Sequence, residues 1–236
     1  MKKKVKKVYF FNNVYAKKSR YKNPKEIFVY LIKLLKKQKL KKNTSILDVG
    51  CSNGELLFNL NKNFKNFKLS GIDIDQKLLK KAQKICPKNI VFKRKNISKK
   101  IKNIGKFDIV ILSGVLSIFD NGERIIKNLL YLLKPKGQIY IFDSVNVNPF
   151  NLYIKSENIK NNKKIVWYQN MYSVEYIKSI SKKLKKKCKF FQFRLKSNIK
   201  KNKNNLSLRW TEILSGKKII TSGIGMIENQ FWIKIY

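Results

Sequence analysis

From residue 44 onward, short apolar runs alternate with segments whose apolar residues recur every three or four positions. The runs predict strands at Thr44–Val49, Lys68–Ile74, Asn89–Lys93, Phe107–Ser113 and Gly137–Asp143. The periodic segments predict helices near 54–62, 76–85 and 121–133. Strand and helix in alternation is the pattern of βαβ units, which build a parallel sheet covered by helices. Ahead of them, Ile27, Leu31, Leu34 and Leu35 recur at helical spacing. Asn23-Pro24-Lys25-Glu26 reads as the start of that helix, with Asn as N-cap, Pro at the first helical position and Glu at the third, so an amphipathic helix is expected over 24–39.

After Asp143 the pattern changes. Residues 144–170 read as irregular, followed by a helix near 173–185 with Ser173 as N-cap and a strand at Lys187–Leu195. Lys196–Asn205 is a lysine/asparagine tract expected to form a mobile loop. Leu206–Leu214 and Lys217–Gly223 read as a hairpin around Ser215-Gly216, and Gln230–Tyr236 as a closing strand. No repeat or linker marks a second domain. The expected organisation is one domain: an N-terminal segment and helix (1–43), a ligand-binding core (44–143), and a substrate-side insertion with C-terminal strands (144–236).

The segment that carries chemistry is Asp48-Val49-Gly50-Cys51-Ser52-Asn53-Gly54-Glu55, where an apolar strand ends in an acid, turns through two glycines and opens a helix. In a doubly wound α/β sheet this is where an adenosine-bearing ligand sits. A dinucleotide fingerprint would need glycine at the positions of Ser52 and Glu55, and Glu55 puts a carboxylate where a diphosphate needs bare N–H groups. No Gly-Lys-Ser/Thr follows, so a P-loop is excluded as well. The turn suits a ligand without phosphates.

Asp48-Val49-Gly50-Cys51-Ser52-Asn53-Gly54 resembles the first motif of the class I S-adenosylmethionine-dependent methyltransferases, usually D-x-G-x-G-x-G. Ser52 stands in place of the middle glycine, a conservative change if that position needs no positive φ. The resemblance covers roughly residues 44–143. It implies a Rossmann-like doubly wound sheet, mostly parallel with an antiparallel C-terminal strand and helices on both faces, and S-adenosyl-L-methionine as cofactor. It assigns cofactor contacts to Asp48, Gly50, Cys51, Ser52 and Gly54, to Asp73 and Ile74 after the second strand, to Asn96 and Ile97 after the third, and to Ser113 after the fourth. Asp73, 23 residues beyond Gly50, is placed to accept from both ribose hydroxyls. The Asn96 amide oxygen is placed to accept from the adenine amino group. Each residue has a plainer alternative: Asp73 as a strand-end cap, and Asn96 as one asparagine among many.

Transfer to a hydroxyl is helped by a general base, and the chain has no histidine. Asp120, Asp143 and Tyr172 are the candidates, although Asp120 three residues before Glu123 also fits a helix N-cap. Tyr15, Tyr21, Tyr153, Trp167 and Tyr168 are candidates to line an acceptor pocket, or are simply packed. The family's nucleic-acid amino-methyltransferases carry Asp/Asn/Ser-Pro-Pro-aromatic after the fourth strand, and its cytosine-C5 enzymes need a cysteine near there; this chain has Leu112-Ser113-Gly114-Val115 and no nearby cysteine. The expectation is O-methylation of a small-molecule or glycan-type acceptor. The alternatives are a tRNA or rRNA methyltransferase and a non-catalytic cofactor-binding domain.

Charge bears on the second of these. The 236-residue chain holds 55 Lys+Arg against 13 Asp+Glu, a formal net charge of +42. Only Arg20, Arg94, Arg124, Arg194 and Arg209 are arginines, the lysines are spread along the chain, and lysine, asparagine and isoleucine are abundant together, as in an AT-rich coding sequence. Nucleic-acid readers favour arginine, so weak nonspecific binding is expected rather than a specific nucleic-acid partner. Eight of the 13 acids fall between residues 48 and 143, which points to local roles there. Cys51, Cys86 and Cys188 lack metal-ligand or disulfide spacing, so no metal is expected. No run of 18 apolar residues is present, and the basic N-terminus breaks at Asn12 before it makes a signal peptide. A cytoplasmic setting follows as an expectation.

Overall fold

The computed structural model describes residues 20–158, 165–203 and 208–236. Helices α1 (Glu26–Lys36), α2 (Glu55–Asn63) and α3 (Gln76–Ile85) alternate with strands β1 (Ser45–Val49), β2 (Lys68–Asp73) and β3 (Val91–Arg94). Strand β4 (Phe107–Ser113), a 3₁₀ turn (Leu116–Ile118), helix α4 (Gly122–Tyr131) and the long strand β5 (Leu133–Asn146) follow. Then come β6 (Lys155–Asn158), β7 (Ile165–Tyr168), β8 (Tyr172–Ser173), α5 (Val174–Lys183), β9 (Cys188–Phe193), β10 (Trp210–Leu214), β11 (Lys217–Thr221) and β12 (Gln230–Ile235).

The main sheet runs β3-β2-β1-β4-β5-β12-β9, with β8 alongside the end of β5. Strands β1 to β5 pair in parallel and β12 is antiparallel to both neighbours. Side chains alternate across this sheet as the pleat requires. Ile46, Ile109, Ile111, Tyr140, Phe142 and Trp232 face a core shared with α1, α2 and α3. Leu47, Val110, Leu112, Ile139, Ile141 and Ile233 face a second core shared with α4 and α5. Trp232 is fully buried, and its indole N–H donates to the Ile27 carbonyl at 3.1 Å, which ties the last strand to the first helix. The chain order reverses between β1 and β4, so their carboxyl ends flank the crevice where open α/β sheets bind ligands. Val49 is level with Ile72 on one side and Leu112 on the other, which puts the residues after all three strands on one rim.

Several boundaries differ from the sequence expectation for physical reasons. Helix α1 begins at Glu26 with Lys25 as its N-cap, not at Pro24. The Glu26 carboxylate, expected at the third helical position, accepts from the Lys196 and Ser197 backbone N–H groups at 2.8 Å each. Asn121 rather than Asp120 caps α4, accepting from Arg124 N at 2.8 Å. Lys134-Pro135-Lys136-Gly137 does not precede β5 but lies within it, where the register slips between Phe107↔Leu133 and Ile109↔Gln138. The region 144–170 is not irregular throughout. Strand β5 continues to Asn146 and pairs with β8, and β6 pairs antiparallel with β7. Ser173 caps α5 as expected, accepting from Tyr176 N at 3.0 Å. The β10–β11 hairpin forms around Ser215-Gly216 as expected, with Leu206 and Ser207 outside the described residues.

Candidate active site

The carboxyl ends of β1, β2, β4 and β5 border one cavity of about 250 Å³. Its floor at one end is the glycine turn. Gly50 and Gly54 take φ of +75° and +81°, a region open to glycine at no steric cost. A Cβ on Gly50 would stand 2.7 Å from Val115 Cγ2, so the turn tolerates no side chain there. Ser52 also sits in the left-handed region, at φ +51°, so the condition under which its replacement of glycine would be conservative is not met. Its hydroxyl is buried and has no hydrogen-bond partner among the described residues. The Ser52 N–H is fixed by Asp73, whose Oδ2 accepts it at 2.8 Å while Oδ1 accepts from Asp75 N at 2.9 Å.

Four carboxylates line this cavity: Asp48, Glu55, Asp73 and Asp143. Burial pushes the Asp48 carboxyl up to about 7, with the nearby Asp73 charge adding to the rise and Lys25 opposing it. Burial also raises Asp73, against the N–H groups of Asp75 and Ser52 that favour its ionised form. Asp143 is raised by burial to about 6, against the Ser117 N–H, the Arg209 charge and the Ser144 N–H. Its Oδ2 accepts from Ser117 N and its Oδ1 from Ser144 N, each at 3.0 Å, which holds the carboxyl in one orientation at the end of β5. Glu55, at the start of α2, accepts from Arg20 N at 3.0 Å and Asn53 Nδ2 at 3.3 Å.

The opposite end of the cavity is assembled around Glu228, a carboxylate whose side chain is 1% exposed. It accepts from Ser144 Oγ at 2.5 Å, from Gln169 Nε2 at 2.9 Å, and from Arg209 Nε in an ion pair. Ser144, Gln169 and Arg209 all line the cavity.

A family model described as a methyltransferase domain matches residues 40–213. That span includes the whole glycine-turn rim and most of the cavity wall. The chain belongs to this family, the class I S-adenosylmethionine-dependent methyltransferases. The methyltransferase is 29% identical over 126 residues to a ubiquinone biosynthesis O-methyltransferase of Coxiella burnetii, a match covering 52% of each chain. It thus spans about half the length of the curated relatives it matches. Its fold is that of a DhpI–SAM–HEP complex (TM-score 0.59, 9% identity, 96% of this chain and 97% of that one). It is also that of a SAM-dependent methyltransferase from Methanosarcina mazei (TM-score 0.57, 16% identity, 83% and 93%).

Of the residues singled out in this methyltransferase's sequence, Asp48, Gly50, Cys51, Ser52, Asp73, Ile74, Asn96, Ile97, Ser113 and Asp143 line the cavity together. Gly54 turns away from it: a Cβ there would meet Cys86 Sγ at 2.9 Å and Phe92 at 3.0 Å, so this glycine serves helix-to-strand packing. The Asn96 amide oxygen already accepts from Ser98 N at 2.9 Å and Ser98 Oγ at 2.8 Å. Tyr172 and Asp120 lie off the cavity. The Tyr172 ring packs on Gly122, its hydroxyl donates to the Phe119 carbonyl at 2.5 Å, and burial raises its pKa, all of which suit structure rather than proton removal. Asp120 accepts from Asn170 Nδ2 at 3.0 Å.

Tyr21 is buried beneath the turn, donating to the Asn53 carbonyl at 2.6 Å and meeting Phe58 edge-on. Tyr153 is 58% exposed and packs edge-on against Tyr172. Trp167 and Tyr168 are described by their backbone alone, in β7 opposite Ser156 and Lys155. Tyr15 lies outside the described residues. Sequence reasoning missed Lys25, Phe142, Gln169, Arg209 and Gln230 as wall residues. Arg209 had one available signal, as one of five arginines among 55 basic residues.

Proposed function

We propose that this chain transfers the methyl group of S-adenosylmethionine to a hydroxyl of a small-molecule acceptor. The observation that carries this reading is a single cavity joining the glycine turn to Asp143, a buried and oriented carboxyl in a chain without histidine. The cavity's chemistry fits the donor. In a chain of net charge +42 its wall carries four carboxylates, which suit a ligand bearing a sulfonium and an ammonium. The Ser52 hydroxyl is a buried donor awaiting an acceptor.

On this reading Asp73 holds the ribose hydroxyls with the lone pairs left after Ser52 and Asp75. Ile97 and Asn96 border the adenine. Since the Asn96 oxygen is engaged by Ser98, its contact is to the ring face or through its amide N–H groups. Asp48 and the turn hold the methionine end. The donor supplies an electrophilic methyl group on a positively charged sulfur. The residues align the acceptor with it and exclude water. Asp143 takes the hydroxyl proton on a lone pair left after its bonds from Ser117 and Ser144.

The Coxiella relative is named for O-methylation in ubiquinone biosynthesis, which favours a hydroxyl acceptor over an amine. The test has two stages. Calorimetry of the purified chain with S-adenosylmethionine and S-adenosylhomocysteine is expected to show stoichiometric binding, and no heat with either sinks the reading. Labelled donor is then incubated with fractionated cell extract. Label is expected in the small-molecule fraction, and label in RNA would move the assignment to the lysine surface. With the labelled fraction as acceptor, Asp143→Asn is expected to lower kcat about 100-fold or more with KM little changed. The wild-type rate should rise with pH through about 6 as the carboxyl ionises.

A further inference from the structure

The β10–β11 hairpin ends in an apolar tip that no other described element covers. Ile213 is 70% and Leu214 50% exposed, and they lead into a two-residue turn in which Ser215 and Gly216 both take positive φ. The segment after β9 lies beside this hairpin. Ile199 N donates to Thr211 Oγ1 at 3.0 Å and Thr211 N to the Ile199 carbonyl at 3.0 Å. Lys218 Nζ donates to the Lys196 carbonyl at 2.6 Å and to Asn198 Oδ1 at 3.2 Å. Ile199, 38% exposed, thereby joins Ile213 and Leu214 on one structured unit. On the same unit Lys196, Lys200, Lys201, Lys203, Lys217 and Lys218 are all exposed, Lys217 and Lys218 directly after the tip and Lys201 over the Trp210 ring at the hairpin's base. The carboxylate facing this unit from its own strands is Glu212, which accepts from the Trp210 indole N–H. From α1, Glu26 faces it and is engaged by the Lys196 and Ser197 N–H groups.

We propose that this unit docks on an anionic lipid bilayer, its aliphatic tip entering the interface and its lysines reading the headgroup charge. Aliphatic side chains at a turn tip, on a unit whose other exposed side chains include point-charge ammonium groups, match a surface that is anionic outside and apolar within. They do not match RNA, which is gripped by exposed aromatic rings and by arginine. The aromatic ring here, Trp210, is 5% exposed, and Arg209 lines the cavity paired to Glu228. Among the described residues no helix is long and apolar enough to cross a membrane, so the attachment is peripheral. It does not depend on the reaction proposed above.

Because a chain of +42 adheres to any anionic surface, the test separates the tip from charge alone. Co-sedimentation uses vesicles of phosphatidylcholine with and without phosphatidylglycerol, at physiological and at high salt. It compares wild type with Ile213→Asp/Leu214→Asp and with Ile85→Asp/Val91→Asp. The second variant makes the same charge change at exposed apolar positions, 40% and 49% exposed, on α3 and the far edge strand β3. Wild type is expected to bind the phosphatidylglycerol vesicles and keep part of that binding at high salt. The tip variant should lose about tenfold in partitioning, and the control variant less than about twofold.

Equal losses in the two variants overturn the proposal, as does wild-type binding that high salt abolishes. So does a tip variant that loses binding to single-stranded RNA as steeply as to vesicles. A fluorophore on Ser215→Cys in a Cys188→Ser background gives an independent reading. Its emission should shift to the blue on phosphatidylglycerol vesicles, and an unmoved spectrum also overturns the proposal. Matching melting temperatures establish that the tip variants fold.

Discussion

At the glycine-turn end of the cavity, the turn and its Asp73 partner belong to consecutive elements of one βαβ unit. Ser52 N reaches Asp73 across 21 residues, and the turn itself spans five positions from Gly50 to Gly54. At the Glu228 end the partners of one carboxylate lie 84, 59 and 19 residues away, on β5, on the approach to β8 and just before β10. The first end is shaped by backbone conformation that any β-strand, turn and helix in that order would present. The second exists only because one buried acid gathers donors from three separate segments that are not consecutive elements. A floor of this kind can be kept while the opposite wall is rebuilt, since the two share a cavity but few bonds.

The largest expected effect breaks the second end alone. Glu228→Ala strands the Arg209 guanidinium, the Gln169 amide and the Ser144 hydroxyl around an emptied site. Removing one partner of a buried ion pair typically costs 3–5 kcal/mol. With the Arg209 side chain 35% exposed, about 3 kcal/mol is expected here, read as a lower urea midpoint at unchanged slope. Affinity of the folded fraction for S-adenosylhomocysteine should stay within about twofold, because no partner of Glu228 belongs to the turn. An alanine variant as stable as wild type would show that this end of the cavity is held by something other than this carboxylate.

The same contrast explains what could be read without coordinates. The βαβ order, the glycine turn and the rim residues Asp48, Asp73 and Asn96 were legible because strand ends and turns are local patterns. Phe142 and Ser144 follow from β5 once Asp143 is placed at its end. Arg209, Gln169 and Glu228 were not legible, because no spacing links residues that meet only through a third element. The N-terminus of α1 was misread for a related reason. Glu26 looked like a capping acid within its own helix, and its true partners are the Lys196 and Ser197 amides some 170 positions later. The start of the fifth strand was misread in the opposite way: it was expected at Gly137, and β5 begins at Leu133 and runs through a bulge.

A smaller effect tests the glycine-turn end through its charge. Asp48 has its folded-state pKa raised to about 7 by burial first and by Asp73 second, whereas an unfolded Asp titrates near 4. Between those values the native state holds the proton and the unfolded state does not, so stability falls as pH rises through the window. Asp143 adds a narrower contribution of the same sign, ending near 6. Asp108 works in the other direction. Despite partial burial, hydrogen bonds from Lys134 and Ser45 hold it at about 2, so its contribution is lost only as the pH drops towards that value. Asp48→Asn is therefore expected to gain on the order of 2 kcal/mol over wild type at pH 8 and nothing at pH 4, measured as unfolding free energy against pH. The variant should also bind S-adenosylmethionine more weakly. A gain that persists at pH 4 would mean packing, not charge, is the cause.

The smallest effect concerns Ser52, where conformation and chemistry pull apart. A serine at φ +51° carries a left-handed penalty of roughly 1–2 kcal/mol, and its buried hydroxyl makes no bond among the described residues. Ser52→Gly relieves both, against about 0.5–1 kcal/mol for glycine's larger freedom when unfolded. A net gain of about 0.5–1 kcal/mol is expected in the absence of ligand. Ser52→Ala removes the hydroxyl but keeps the strained backbone, so it should gain less. If the hydroxyl is retained for the donor, both variants bind S-adenosylhomocysteine about threefold to tenfold more weakly, and by the same factor, since a lost hydrogen bond contributes about 1 kcal/mol. Weaker binding in the glycine variant alone would assign the effect to loosening of the turn. Unchanged binding in both would leave a strained serine with no ligand to account for it, and would remove Ser52 from the cofactor contacts.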